Sequence, residues 1–128
     1  MTTIVVTAAV IEQGDRFLVT KRQPGVHLAG RWEFPGGKCE PGESLGACLA
    51  RELREELYVD VAVRDELFTT TYDYPDRRVE LHFLRCDLLG EPAPQLGQDT
   101  RWVSRWELTA LEFPPPDAAL IQLLTRRG

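Results

Sequence analysis

Residues 36–59 read GGKCEPGESLGACLARELREELYV. Two breaks, Gly36-Gly37 and Pro41-Gly42, precede residues 44–57, whose signal is helical, with Ser44 standing where an N-cap belongs. Leu45, Leu49, Leu53 and Leu57 recur every four residues and form an apolar stripe. Glu52, Glu55 and Glu56 fall at i, i+3 and i+4, an arc of roughly 100° on one face. The leucines lie directly beside that arc, which sets the carboxylates at the edge of the buried face. Glu40 and Glu43, in the preceding loop, can bend back toward them. Two carboxylates about 4 Å apart repel by up to ~4 kcal/mol at an effective dielectric of 20. Arg51 and Arg54 offset part of this but, by the same arithmetic, point to other faces. A hard divalent cation removes the repulsion and takes oxygen ligands of this kind. The ordinary alternative is a solvated acidic helix; the glycine-rich loop directly before the helix favours the metal reading.

Outward from this segment the pattern is mostly strand. Residues 3–10 (TIVVTAAV) are nearly continuously apolar and read as a buried strand. Gln13-Gly14-Asp15 is a turn signal, and residues 16–21 resume as a strand, which predicts a hairpin between the two. Residues 23–31 read as a loop, and Trp32-Glu33-Phe34 is too short to classify. Residues 58–63 alternate toward a strand. Residues 67–74 and 78–86 read as antiparallel strands joined at Pro75-Asp76, and 90–97 as a loop. A short strand at Trp102-Val103, a helical turn over 106–111 and a closing helix over 117–127 complete the chain. Many strands with one central and one terminal helix predict a mixed sheet with helices packed on it, an α+β arrangement.

The 128 residues suit one domain, residues 1–128. Fifteen basic against twenty acidic residues, a net charge of −5, argue against binding to polymeric nucleic acid or to an anionic membrane. No apolar run approaches a membrane span, and residues 1–10 carry no secretion signal. Cys39, Cys48 and Cys86 are odd in number and form no CxxC pair. A disulfide scaffold or zinc site is therefore not expected, and a reducing cytoplasm is. Lys38 follows two glycines, yet no GxxxxGK exists and Cys39 stands where a P-loop has Ser or Thr. No D-x-D-x-D-G calcium loop is present either.

The pattern G-x5-E-x7-R-E-U-x-E-E-x-G-U, with U aliphatic, is the Nudix box. This chain resembles it through Gly37, Glu43, Arg51, Glu52, Leu53, Glu55, Glu56 and Val59; Tyr58 replaces the glycine, so a different exit from the helix is expected. The similarity extends through Thr20-Lys21-Arg22, residues 32–38, Tyr74-Pro75-Asp76-Arg77 and Phe113-Pro114-Pro115, and looks closest to MutT-like nucleoside triphosphate pyrophosphohydrolases. It implies an α/β/α sandwich with a mixed sheet. It also implies a hydrolase that uses Mg²⁺ or Mn²⁺ to turn a nucleoside triphosphate into monophosphate and pyrophosphate, in the sanitising of the nucleotide pool and DNA repair.

The resemblance also distributes roles. Gly36 (through its carbonyl), Glu52, Glu55 and Glu56 are the metal set. Glu52 is also the candidate base, and Arg51 orients a box glutamate. Relatives often carry another acid in the loop before the late tryptophan; here Leu96 aligns with it and Asp99 is the nearest substitute. Arg22, His27, Phe34, Gly36, Lys38, Arg77 and Asp117 match substrate contacts. Asp117 equally reads as the N-cap of the last helix. An ionised aspartate only accepts hydrogen bonds, which suits a base edge rich in N–H groups, such as 8-oxoguanine or the cytosine amine. The expected substrate is therefore an oxidised nucleotide such as 8-oxo-dGTP, with CTP or a modified dCTP as the alternative. A nucleotide-sensing module without turnover is a further alternative, disfavoured by the intact glutamates. Monomer and homodimer both stay open.

Overall fold

The computed structural model describes residues 2–25, 29–95 and 97–126. Along them run β1 (Thr3–Val10), β2 (Glu12–Gln13), β3 (Arg16–Lys21), β4 (Trp32–Glu33), β5 (Gly36–Lys38) and α1 (Leu45–Leu57). β6 (Val61–Tyr74), β7 (Arg77–Leu88), β8 (Thr100–Ser104) and α2 (Ala118–Thr125) follow, with short 3-10 turns at Glu107–Thr109 and Pro115–Asp117. The expected mixed sheet has the order β5-β1-β7-β6, with β1 parallel to β7 and the other pairs antiparallel. A second, antiparallel sheet stands beside it, in which β3 pairs with β2, β4 and β8. No described helix is long and apolar enough to cross a membrane.

Two cores explain why β1 is nearly continuously apolar and β3 carries Phe17, Leu18 and Val19 in succession. Ala9, Ile11 and Leu18 face the leucines of α1, where Leu49, Leu53 and Leu57 are fully buried. Their chain neighbours Ala8, Val10, Phe17 and Val19 face the opposite cluster with Phe83, Leu108 and Leu120. A strand buried on both sides has no polar face to alternate with.

The same fact corrects the expected first hairpin. β1 lies between β5 and β7, and β3 turns back instead on the two-residue β2. The turn is Gly14-Asp15, both at positive φ (53° and 64°), the mirror-image geometry that tight hairpins favour. Residues 58–63 and 67–74, expected as separate strands, largely merge into β6. Its register against β7 shifts on either side of Glu66, so an irregularity absorbs the break. The closing helix begins after a 3-10 turn rather than at Asp117.

Cysteine arithmetic also misled. Cys39, just after β5, and Cys48, in α1, are disulfide-bonded across nine positions, leaving Cys86 as the free buried thiol. A CxxC spacing is not needed when a chain reversal brings two distant positions to a Cα–Cα distance of 5.2 Å. The odd count therefore says nothing about the compartment.

α1 starts as expected, with Ser44 Oγ accepting from the Ala47 N–H at 3.1 Å. Its exit, expected to differ for want of the glycine, is instead the one a glycine-terminated helix makes. Tyr58 adopts φ 48°, ψ 47° and its N–H donates to the Arg54 carbonyl. Tyrosine keeps the left-handed exit at a steric cost, with its ring exposed. Tyr58→Gly should therefore raise stability by about 0.5–1 kcal/mol, the relieved strain less the added backbone entropy. Urea midpoints at unchanged m-value would register the gain, and a loss would mean that the tyrosine ring contributes to packing.

Candidate active site

The site begins where two backbones and a helix carboxylate crowd together. A Cβ on Gly36 would run into the Thr7 carbonyl of β1, and a Cβ on Gly37 would run into the Glu52 carboxylate of α1. Glycine at both positions lets β5 lie on β1 while a carboxylate of α1 lies on β5. Gly36 N–H donates to Glu56 Oε2 at 3.2 Å, tying the helix to the same strand.

The angular arithmetic turns Arg51 away from the glutamates while the resemblance gives it one to orient; its side chain curls back into their midst. Its Nε and Nη2 hold Glu43 at 2.7 and 3.0 Å, and Nη1 reaches Glu52 at 3.0 Å and Glu55 at 3.1 Å. Nη2 also donates to the Lys38 carbonyl at 2.9 Å, so one guanidinium joins the loop to the helix. The bonds from Arg51, with a backbone N–H from Glu40, hold the Glu43 carboxyl down at about 2. Glu40 approaches the same guanidinium at 4.0 Å.

The three glutamates of α1 sit in different surroundings. Glu55 is mostly exposed and its described contact is Arg51. Glu52 is raised above the usual carboxylate range by burial, against the pull of Arg51. Glu56 is pushed up to about 8, chiefly by burial, with the charges of Glu33 and Glu52 adding to it. Hard oxygen donors crowded until they resist ionisation, over a glycine cradle, are what a divalent cation would relieve. Glu52, Glu56 and the Gly36 backbone could hold one, with Glu55 on the solvent side.

Glu56, Gly36 and Lys38 also line a cavity of about 370 Å³ whose walls include Arg22, Phe34, Arg77 and Asp117. Phe34 is core and pocket wall at once, edge-on to Phe83 and stacked on Phe113 with centroids 5.4 Å apart. Arg22 forms an ion pair with Glu33 at 2.6 Å. Among the described residues the buried Arg77 Nε has no hydrogen-bond partner, and Asp76 lies 3.6 Å from it. His27 and Leu96 lie outside the described residues. The Asp99 carbonyl accepts from Lys21 N–H, and the cavity wall is formed there by the neighbouring Gln98, whose Nε2 donates to the Glu56 carbonyl at 3.4 Å.

A family model described as the NUDIX domain matches residues 6–123. The chain belongs to the NUDIX domain family. It is 39% identical over 125 residues to the 8-oxo-dGTP diphosphatase of Haemophilus influenzae, covering 94% of this chain and 90% of that one. It is 36% identical over 125 residues to the CTP pyrophosphohydrolase of Escherichia coli, covering 95% and 91%. The solution structure of the E. coli ORF135 protein superposes with a TM-score of 0.85 at 34% identity, covering 95% of this chain and 88% of that one.

The Nudix box thus folds as its loop and helix, with Tyr58 supplying the conformation of the missing glycine. Glu33 is the site residue that sequence reasoning passed over. It lines the cavity, binds Arg22 and raises both Glu56 and Asp117 electrostatically. The available signal was an acidic residue between Trp32 and Phe34, where an unpaired charge would be costly.

Asp117 corrects two expectations. It makes no side-chain cap bond to α2, and its side chain is almost fully buried in the wall of the cavity. Burial, with the charge of Glu33, pushes its carboxyl up from 3.8 to about 8, Arg22 opposing. A carboxyl neutral at pH 7 both donates and accepts, so the acceptor-only argument fails for the ligand-free site. Because the folded chain holds this proton more tightly than the unfolded one, the stabilisation is complete below 3.8 and is lost as pH rises to about 8. Asp117→Asn removes that titration. Melting curves across this window should show the wild type losing ground to the variant as pH rises, and parallel curves would contradict the shift.

Proposed function

We propose that this Nudix hydrolase cleaves a (deoxy)nucleoside triphosphate to the monophosphate and pyrophosphate, with oxidised purine nucleotides such as 8-oxo-dGTP as substrates. The observation that carries the reading is the continuity of the carboxylate cluster with a nucleotide-sized cavity whose wall includes the buried Asp117. Residues 1–128 act as one domain on a small-molecule substrate, with neither polymeric nucleic acid nor membrane as partner, in the cytoplasm.

In this reading Glu52, Glu55, Glu56 and the Gly36 carbonyl hold Mg²⁺, or Mn²⁺ in its place. The bound cation supplies Lewis-acid polarisation of phosphoryl oxygens and charge neutralisation. Glu52 takes the proton of the attacking water, its raised carboxyl moving toward the working range of a base. Arg51 fixes Glu52 and Glu55 so that neither reorganises during reaction. Lys38 and Arg22 draw in the polyphosphate. Phe34 and His27 contact the nucleoside, Arg77 offers its unused Nε–H, and Asp117 reads the base edge.

A neutral Asp117 presents a donor and an acceptor together, which suits the N–H and carbonyl pattern of an 8-oxoguanine edge. The second reading, a CTP or modified-dCTP pyrophosphohydrolase, draws on the 36% identical relative of that name. A site built on such hydrogen bonds discriminates strongly between bases.

The test is a kcat/KM panel over dGTP, 8-oxo-dGTP, dCTP and CTP with released pyrophosphate quantified. 8-oxo-dGTP should lead, a cytidine nucleotide in front would install the second reading, and binding without release would mean a sensing module. Glu56→Gln should lower metal-dependent kcat at least ~100-fold with the fold retained. Near-normal turnover in that variant would remove α1 from the chemistry.

A further inference from the structure

The Cys39–Cys48 bond lies at a mechanically sensitive place. Cys39 is the first residue after β5, its N–H anchored on the Val5 carbonyl at 2.9 Å. Cys48 is fully buried, its sulfur 3.2 Å from Thr7 Oγ1 and 3.8 Å from the Gly37 carbonyl. The sulfurs therefore meet directly behind the glycine cradle. The ring they close contains Glu43, the carboxylate that grips Arg51 from the loop side. Inside the ring Glu40 and Glu43 hold each other through two backbone-donated bonds, 2.9 and 3.0 Å, and Gly42 turns at φ +80°. Without the sulfur link, these two bonds and the grip of Glu43 on Arg51 are the main described restraints on this loop.

We propose that Cys39 and Cys48 form a reversible thiol–disulfide site, closed by a hydroperoxide and reopened by a dithiol, that fastens the Glu43 loop to the glutamate helix. Cys39, partly exposed, is the sulfur a peroxide reaches first. Its attack breaks the O–O bond, giving a sulfenic acid and an alcohol, or water from hydrogen peroxide. Cys48 then attacks that sulfur, the S–S bond forms, and the hydroxyl leaves with the second thiol proton as water. Two electrons pass from the thiol pair to the peroxide, and a dithiol returns them by exchange. Cys86, almost fully buried with its thiol pushed up to about 12 by burial, stays outside this chemistry.

Closing the ring limits the loop in the unfolded chain and holds Glu43 ready for Arg51 in the folded one. The oxidised protein should therefore be more heat-stable and bind divalent cation more tightly, since less ordering is left to the binding step. None of this depends on the nucleotide reading, because its readouts need no substrate.

The experiment compares full-length protein treated with hydrogen peroxide or with a dithiol, alkylated and digested with trypsin. Cleavage after Lys38 and Arg51 leaves both cysteines on one peptide. After peroxide that peptide should be lighter by two hydrogens and carry no alkyl group; after the dithiol it should carry two. The oxidised, metal-free protein should melt roughly 5–10 °C above the reduced one. Half-saturation by Mg²⁺, read from the rise in melting temperature, should fall about threefold or more on oxidation. Cys39→Ser, at a partly exposed position, should behave as reduced wild type under both treatments. Two alkyl groups after peroxide, or identical melting and Mg²⁺ curves for the two wild-type forms, would overturn the proposal. A chain that hydrolyses no triphosphate but shows the mass, melting and Mg²⁺ differences would keep it and remove only the nucleotide reading.

Discussion

One guanidinium holds the candidate site together. Glu43, Glu52 and Glu55 converge on Arg51 within 3.1 Å, and its remaining donor ties the Lys38 carbonyl to the same point. Without a cation among them, carboxylates this close would push the loop and helix apart, each pair contributing up to ~4 kcal/mol of repulsion at an effective dielectric of 20. Arg51 relieves the outer part of the cluster, which is why Glu43 stays ionised to low pH. It leaves the inner part unrelieved. Glu56 is too deep for it and is raised to about 8. The gradient from satisfied to unsatisfied carboxylate runs from solvent into the cleft, and a divalent cation belongs at its inner end.

Close backbone approach makes that gradient possible. Gly36 lets β5 pair with β1 against the Thr7 carbonyl, and Gly37 leaves the space that Glu52 occupies. The leucines of α1 fix the helix from the opposite side, on the core formed with Ala9, Ile11 and Leu18. The helix cannot roll to relax its glutamates without exposing that stripe, so packing energy holds the acidic cluster in place. Farther along the same cavity Asp117 follows the same logic. Burial keeps its carboxyl protonated, and Glu33, itself paired with Arg22, reinforces the effect through its charge.

What local sequence alone determined is what depends on short-range periodicity and spacing. Ser44 capped the helix, the leucine repeat oriented it, and the box glutamates fell on one face because an α-helix has 3.6 residues per turn. The strands 3–10 and 16–21 were legible from their apolar runs, and the box itself told the family. Partners were not. That β1 sits beside β7 and not β3 is a pairing between widely separated segments of the chain, a property of the whole sheet with no local signature. For Arg51 the resemblance pointed to the glutamates and the angular arithmetic did not, because that arithmetic places Cα atoms, whereas a long side chain reaches several ångströms to either side.

The remaining differences share one cause. Glu33, the Cys39–Cys48 pair and the burial of Asp117 each join segments far apart in the chain, or a loop to the helix behind it, and none has a local signature. A sequence fixes the charge a residue can carry; how far water is excluded from it is decided by the neighbours that folding supplies. For Asp117 that exclusion decides whether the carboxyl accepts only or also donates, and it exists only in the tertiary structure.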